Sequence, residues 1–169
     1  MFSALRRRFQ VRFPADALYR AVVVKAREPG WFTAGAVPDS VDGRFDMVAL
    51  MFALAHRALE RGGAEPALLV ALTERFVDDM DSTLREMGIG DMVMGKHVGR
   101  MVGALGGRLG AYREALDGGE DLRAALVRNL YRGVEPSPAA LDWAERETRA
   151  VAAALDATPL ADLAEGRLP

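Results

Sequence analysis

Apolar residues recur along this chain at spacings of three and four, and no stretch alternates with period two for long enough to demand a strand. Six helical stretches follow. Pro14 suits a first helical turn, and Leu18, Val22 and Ala26 carry a helix over residues 15–28 until Pro29 and Gly30 halt it. Turn residues in Val37-Pro38-Asp39-Ser40 and Asp42-Gly43 lead into a second helix over 44–61. Its apolar positions, among them Phe45, Val48, Leu50, Phe52, Leu54 and Leu59, occupy most of its circumference, which marks a helix central to the fold. After Gly62-Gly63 a third helix starts at Pro66 and runs to Met87 on the row Leu69, Leu72, Phe76, Met80 and Leu84, with Asp78, Asp81 and Arg85 on another face. The chain turns through Gly88-Ile89-Gly90: Gly88 suits the positive φ that follows a helix end, and Asp91 is a good N-cap.

A fourth helix over 92–116, with room for a kink, has Val98, Met101, Val102, Leu105, Leu109, Tyr112 and Leu116 on its inner row. A fifth spans 121–132, a sixth 139–156, and Leu160 and Leu163 mark a last short turn. The pattern predicts an all-α fold, a single compact helical domain of about six helices over residues 14–157. A basic arm precedes it at 1–13 and a tail follows at 158–169.

Two features leave alternatives open. The segment 29–35 carries Trp31-Phe32, which either enter the core, where burying two aromatics gains several kcal/mol at roughly 25 cal/mol per Å², or offer a contact point to a partner. Gly95, Gly99, Gly103 and Gly107 recur every fourth residue, each costing a helix about 1 kcal/mol relative to alanine. Such a ladder lets a second helix approach closely, from this domain, a second subunit or a client polypeptide.

The 169 residues suit one domain, and the apolar run at residues 48–55 is far below the roughly 20 needed to cross a bilayer. Arg6, Arg7, Arg8 and Arg12 lie among Phe2, Leu5, Phe9 and Phe13 with no apolar h-region behind them, so a secretory signal is not expected. Zero cysteines remove disulfides and thiolate sites, as a cytoplasmic home allows. A net charge of −2 gives no overall attraction for nucleic acid, although the arginine-rich start could meet an anionic partner.

Catalytic chemistry finds no footing. His56 and His97 make no metal-binding pair, His56 suits a core or boundary position, and the cluster Asp78, Asp79, Asp81 and Glu86 reads as a solvated acidic face. No nucleophile elbow, phosphate loop or dinucleotide fingerprint occurs. Methionine is more suggestive: Met80, Met87, Met92, Met94 and Met101 gather about the turn at 88–90, and flexible thioethers adapt to apolar partners of varied shape.

Three stretches carry a resemblance: Val37-Pro38-Asp39-Ser40 with Asp42-Gly43-Arg44-Phe45-Asp46; Asp79-Met80-Asp81 with Leu84-Arg85-Glu86-Met87-Gly88-Ile89-Gly90-Asp91 and Gly95-Lys96; and Asn129-Leu130-Tyr131-Arg132-Gly133. Over residues 18–155 the chain resembles the ubiquinol-cytochrome c chaperone family, departing from it at Met51, Gly99, Gly103 and Leu105-Gly106. The motif residues are Asp39, Arg44, Phe45, Asp46, Asp81, Arg85, Gly88, Gly90, Asp91 and Lys96. The resemblance implies an all-helical, non-enzymatic assembly factor for complex III, needing no cofactor, that binds nascent or apo cytochrome b. It also implies work with a partner subunit and contact with the ribosome or an anionic membrane surface, in the bacterial cytoplasm peripheral to the inner membrane, or on the matrix side if organellar. The expected client surface is the corner between the third and fourth helices, flanked by Met87, Met92, Met94, Lys96 and Arg100, together with Trp31 and Phe32. The competing expectation is a generic helical interaction module or homodimer.

Overall fold

Helices form where the three-four spacing predicts them. The computed structural model describes residues 15–86, 88 and 91–169, the side chains of Leu84 and of residues 91–94 apart. The order is α1 (Asp16–Ala26), the single turn α2 (Pro29–Phe32), α3 (Val41–Arg61), α4 (Pro66–Glu86), α5 (Asp91–Arg113), α6 (Leu122–Asn129), α7 (Pro138–Ala157) and the single turn α8 (Leu160–Ala164). No strand occurs among the described residues, and the six predicted helices are all present. None of the described helices is long and apolar enough to cross a membrane. The basic arm at 1–13 and Met87, Ile89 and Gly90 lie outside the described residues.

The second predicted helix, now α3, is central as its pattern requires. From position 47 to 59 every side chain except that of His56 is buried, and the helix packs against α1, α5 and α7. It begins at Val41, three residues earlier than expected, because Ser40 caps it by accepting the Gly43 N–H at 3.1 Å. Gly43 is thus inside the first turn, pressed against the Pro38 carbonyl. Turn chemistry explains Asp42-Gly43 less well than this close approach does.

The kink expected in the fourth predicted helix is a π-turn, Glu114–Gly118, at the end of α5. It carries Asp117 to Arg57, a residue of α3 that is only 7% exposed. Arg57 donates to both Asp117 oxygens at 2.6 and 2.7 Å and to both Asp156 oxygens at 3.0 Å, tying α3, the π-turn and α7 together. That bond to Arg57 holds the Asp117 carboxyl below its usual range. His56, also on α3, stacks on Phe52, and burial lowers its imidazole pKa; its place is the core boundary.

Trp31 corrects an expectation. It is 1% exposed and meets Trp143 of α7 edge-on, with ring centroids 5.1 Å apart. Gly30 and Gly35 make room for that second indole, since a Cβ at either would lie about 3 Å from it. The core alternative holds for Trp31, whose burial removes it from any surface a client could touch, while Phe32 packs half-buried against the same core.

The glycine ladder is the second correction. Gly95, Gly99, Gly103 and Gly107 are exposed, and a Cβ on each would meet no described atom within 4 Å. Among the described residues no helix of this domain uses the ladder for close approach. Gly103→Ala is therefore expected to raise the unfolding free energy by about 0.5–1 kcal/mol through helix propensity alone. Urea denaturation checks this; a destabilised variant would mean the row is packed after all.

Candidate functional site

The inner row of α5 is covered along only part of its length. Leu105 and Tyr112 are buried, but Val98, Met101 and Val102 are half-exposed. Beside Met101 lies a groove of about 740 Å³. Its floor is Phe45 and Val48 of α3, Met80 of α4 and Met101 of α5; Arg27, just past the end of α1, and Arg132 also line it. Past Met101 it continues into a second hollow of about 540 Å³ that reaches Ala104, Arg108 and Arg128. His97 and Arg100 form the α5 wall, and the Arg100 guanidinium approaches His97 Nδ1 at 2.7 Å. Asp79 and Glu86 stand on the α4 wall.

The wall beside Arg132 rests on one buried charge. Asp46, fully buried on α3, accepts from Arg108 Nη2 at 2.7 Å and from Arg132 Nε at 2.5 Å, and Arg132 also pairs with Asp42 at 2.9 Å. Burial pushes the Asp46 carboxyl upward against the pull of both guanidinium groups. The bond to Asp46 raises Arg132 in turn. Arg108 also lies 5.5 Å above the Phe45 ring, so the same cation fixes the floor of the groove.

Arg132 reaches Asp46 from a left-handed backbone, φ +54°, that costs a non-glycine residue roughly 1 kcal/mol or more. Its neighbours hold it there. Tyr131 donates its hydroxyl to the buried Gly35 carbonyl at 2.6 Å, burial pushes that phenol up to about 12, and Gly133 follows at φ +82°. Residues 39–46 and 129–133, two of the three stretches carrying the resemblance, therefore meet in space and build one end of the groove.

The remaining expected residues divide. Phe45 and Arg100 line the groove; Arg44 does too, and it also pairs with exposed Asp39 at 2.7 Å. Asp81 and Arg85 pair along α4 at 2.8 Å, and Gly88 takes the positive φ its position demands, +79°. Lys96 is exposed on α5 and does not line the groove. Met87 and Gly90 fall outside the described residues, as do the side chains of Asp91, Met92 and Met94. Sequence reasoning passed over Arg27, Arg128 and Met101 as groove residues. Met101 fits a core row, and the basic pair gives no local signal.

The family described as Ubiquinol-cytochrome C chaperone matches residues 33–168. No curated protein matches. The crystal structure of the Cbp3 homolog from Brucella abortus is similar to this fold with a TM-score of 0.77 and 30% sequence identity, over 99% of this chain and 95% of that one. With most of its length matched and the fold shared, the chain belongs to the ubiquinol-cytochrome c chaperone family.

Proposed function

We propose that this chain binds newly made cytochrome b during biogenesis of ubiquinol-cytochrome c reductase, holding it reversibly against the groove at the α4–α5 corner. One observation carries the reading: Phe45 and Met101, core residues by their spacing, stand half-covered in an open groove, and among the described residues no further helix seals it. An adaptable thioether and an aromatic ring can shelter apolar surface of an unfinished membrane polypeptide without a catalytic step or a nucleotide. Arginines around the floor would keep the site hydrated and soluble when empty. The work would take place at the face of the membrane where the client is inserted, with the arginine-rich first thirteen residues helping to hold the chain near anionic lipid or the ribosome.

The test is genetic. Deleting the gene is expected to lower the haem b signal in membranes, and full-length chain carrying Met101→Glu is expected to leave it at the deletion level while accumulating as a folded protein. Normal haem b and assembled complex in the deletion strain would end the reading.

A further inference from the structure

We propose, resting on the reading above, that the groove selects an amphipathic segment of the client whose acidic flank faces α5 and α6. Charge asymmetry across the groove is the basis. Arg27, Arg100 and Arg128 line the continuous hollow, and among the described residues none of them has a carboxylate partner. Several arginines elsewhere are neutralised within the chain, Arg57 by Asp117 and Asp156, Arg113 by Glu60, Arg123 by Asp142 and Glu145, whereas Arg20 and Arg146 stand singly on exposed helix faces away from any hollow. Only at the groove do cations without a carboxylate partner among the described residues gather beside an apolar floor. Arg108 and Arg132 share Asp46 and Asp42, so the α5–α6 side keeps an excess of positive charge from Arg100 and Arg128.

The opposite wall differs. Asp79, which already accepts the Tyr19 hydroxyl at 2.7 Å, and Glu86 make the α4 side acidic. An occupant with apolar side chains toward Phe45, Val48, Met80 and Met101 and carboxylates on one flank would meet the guanidinium groups and avoid the carboxylates. Arg27 lines one hollow and Arg128 the other, and the two hollows share Phe45, Arg100 and Met101, a spread of lining that suits a polypeptide segment better than a lone small anion. The chain's own first fourteen residues, with four arginines and no acidic residue, have the wrong charge to complement it. Arg100 and Arg128 are exposed, so their reversal leaves the core untouched.

The experiment uses full-length protein and 20-residue peptides tiled across the subunits of the cytochrome bc complex from the same organism, read by fluorescence polarisation. Bound peptides are expected to carry Asp or Glu beside apolar residues spaced three or four apart. The double reversal Arg100→Glu with Arg128→Glu should weaken them about tenfold or more, and so should changing the peptide carboxylates to amides, with no further loss when both are combined. Bound peptides lacking acidic residues, or a double variant that binds as well as the parent, overturn the inference and leave the chaperone reading standing. Failure of every peptide overturns the inference as well; the chaperone reading is then judged on the deletion strain. Arginine-dependent binding to phosphatidylcholine vesicles containing phosphatidylglycerol, without peptide binding, identifies lipid as the occupant and also overturns it.

Discussion

Replacing Asp46 by alanine is expected to lower the unfolding free energy by about 3 kcal/mol, toward the lower end of the roughly 3–5 kcal/mol measured when one partner of a buried ion pair is removed. The carboxylate is fully buried and accepts from two guanidinium groups, so its loss leaves two cations converging on a space with no counter-charge. The lower end applies because Arg132 is 45% exposed and can turn toward water, whereas Arg108, only 13% exposed, cannot do so without leaving Phe45. Combining Asp46→Ala with Arg108→Met should therefore recover part of the loss, while adding Arg132→Ala should recover less. Urea unfolding of the four proteins measures this. A single Asp46→Ala variant within about 0.5 kcal/mol of the parent, the range of ordinary surface changes, would show that the buried charge is not what holds this end of the groove.

Gly43→Ala is expected to be as damaging, through a different cause. Its φ is not positive and alanine is the better helix former, so local preference predicts a stabilising change of about 1 kcal/mol. The structure predicts the opposite sign. A Cβ at this position would fall well inside contact distance of the Pro38 carbonyl oxygen, which is backbone and cannot swing aside. Relief would require residues 38–40 to move off the helix, breaking the Ser40 cap and displacing Val41, Asp42 and Phe45 at the groove. Overpacking of this kind costs roughly 1–3 kcal/mol, and the lost cap about 1 more. A fall in thermal midpoint together with weaker client binding is the expected result, and an unchanged or raised midpoint would refute the close contact.

Those two residues show what a single sequence discloses and what it conceals. The helices were legible because each amphipathic row is local, and Gly88 because a helix must end before its turn. Asp46 was legible as a motif residue, but its partners lie 62 and 86 residues away, and no local spacing encodes a pairing at that distance. Gly43 stood in a run of turn formers, which masked a steric reason for glycine behind a conformational one. Met101 and Phe45 read as core because periodicity reports which face of a helix is apolar and not how far the covering helices extend. For Trp31 two fates were open, and Trp143, off its own helix's buried row, supplied the partner that decided between them.

The wide separation of Asp46 from Arg132 also bears on the order of events during synthesis. Phe45 leaves the ribosome early, yet one end of its cleft is missing until residues 129–133 have emerged, Tyr131 has anchored to Gly35 and the counter-ion has arrived. A nascent copy of this protein thus has no finished groove to offer until residues 129–133 have been translated, and a message truncated before that point would yield helices without that end of the cleft.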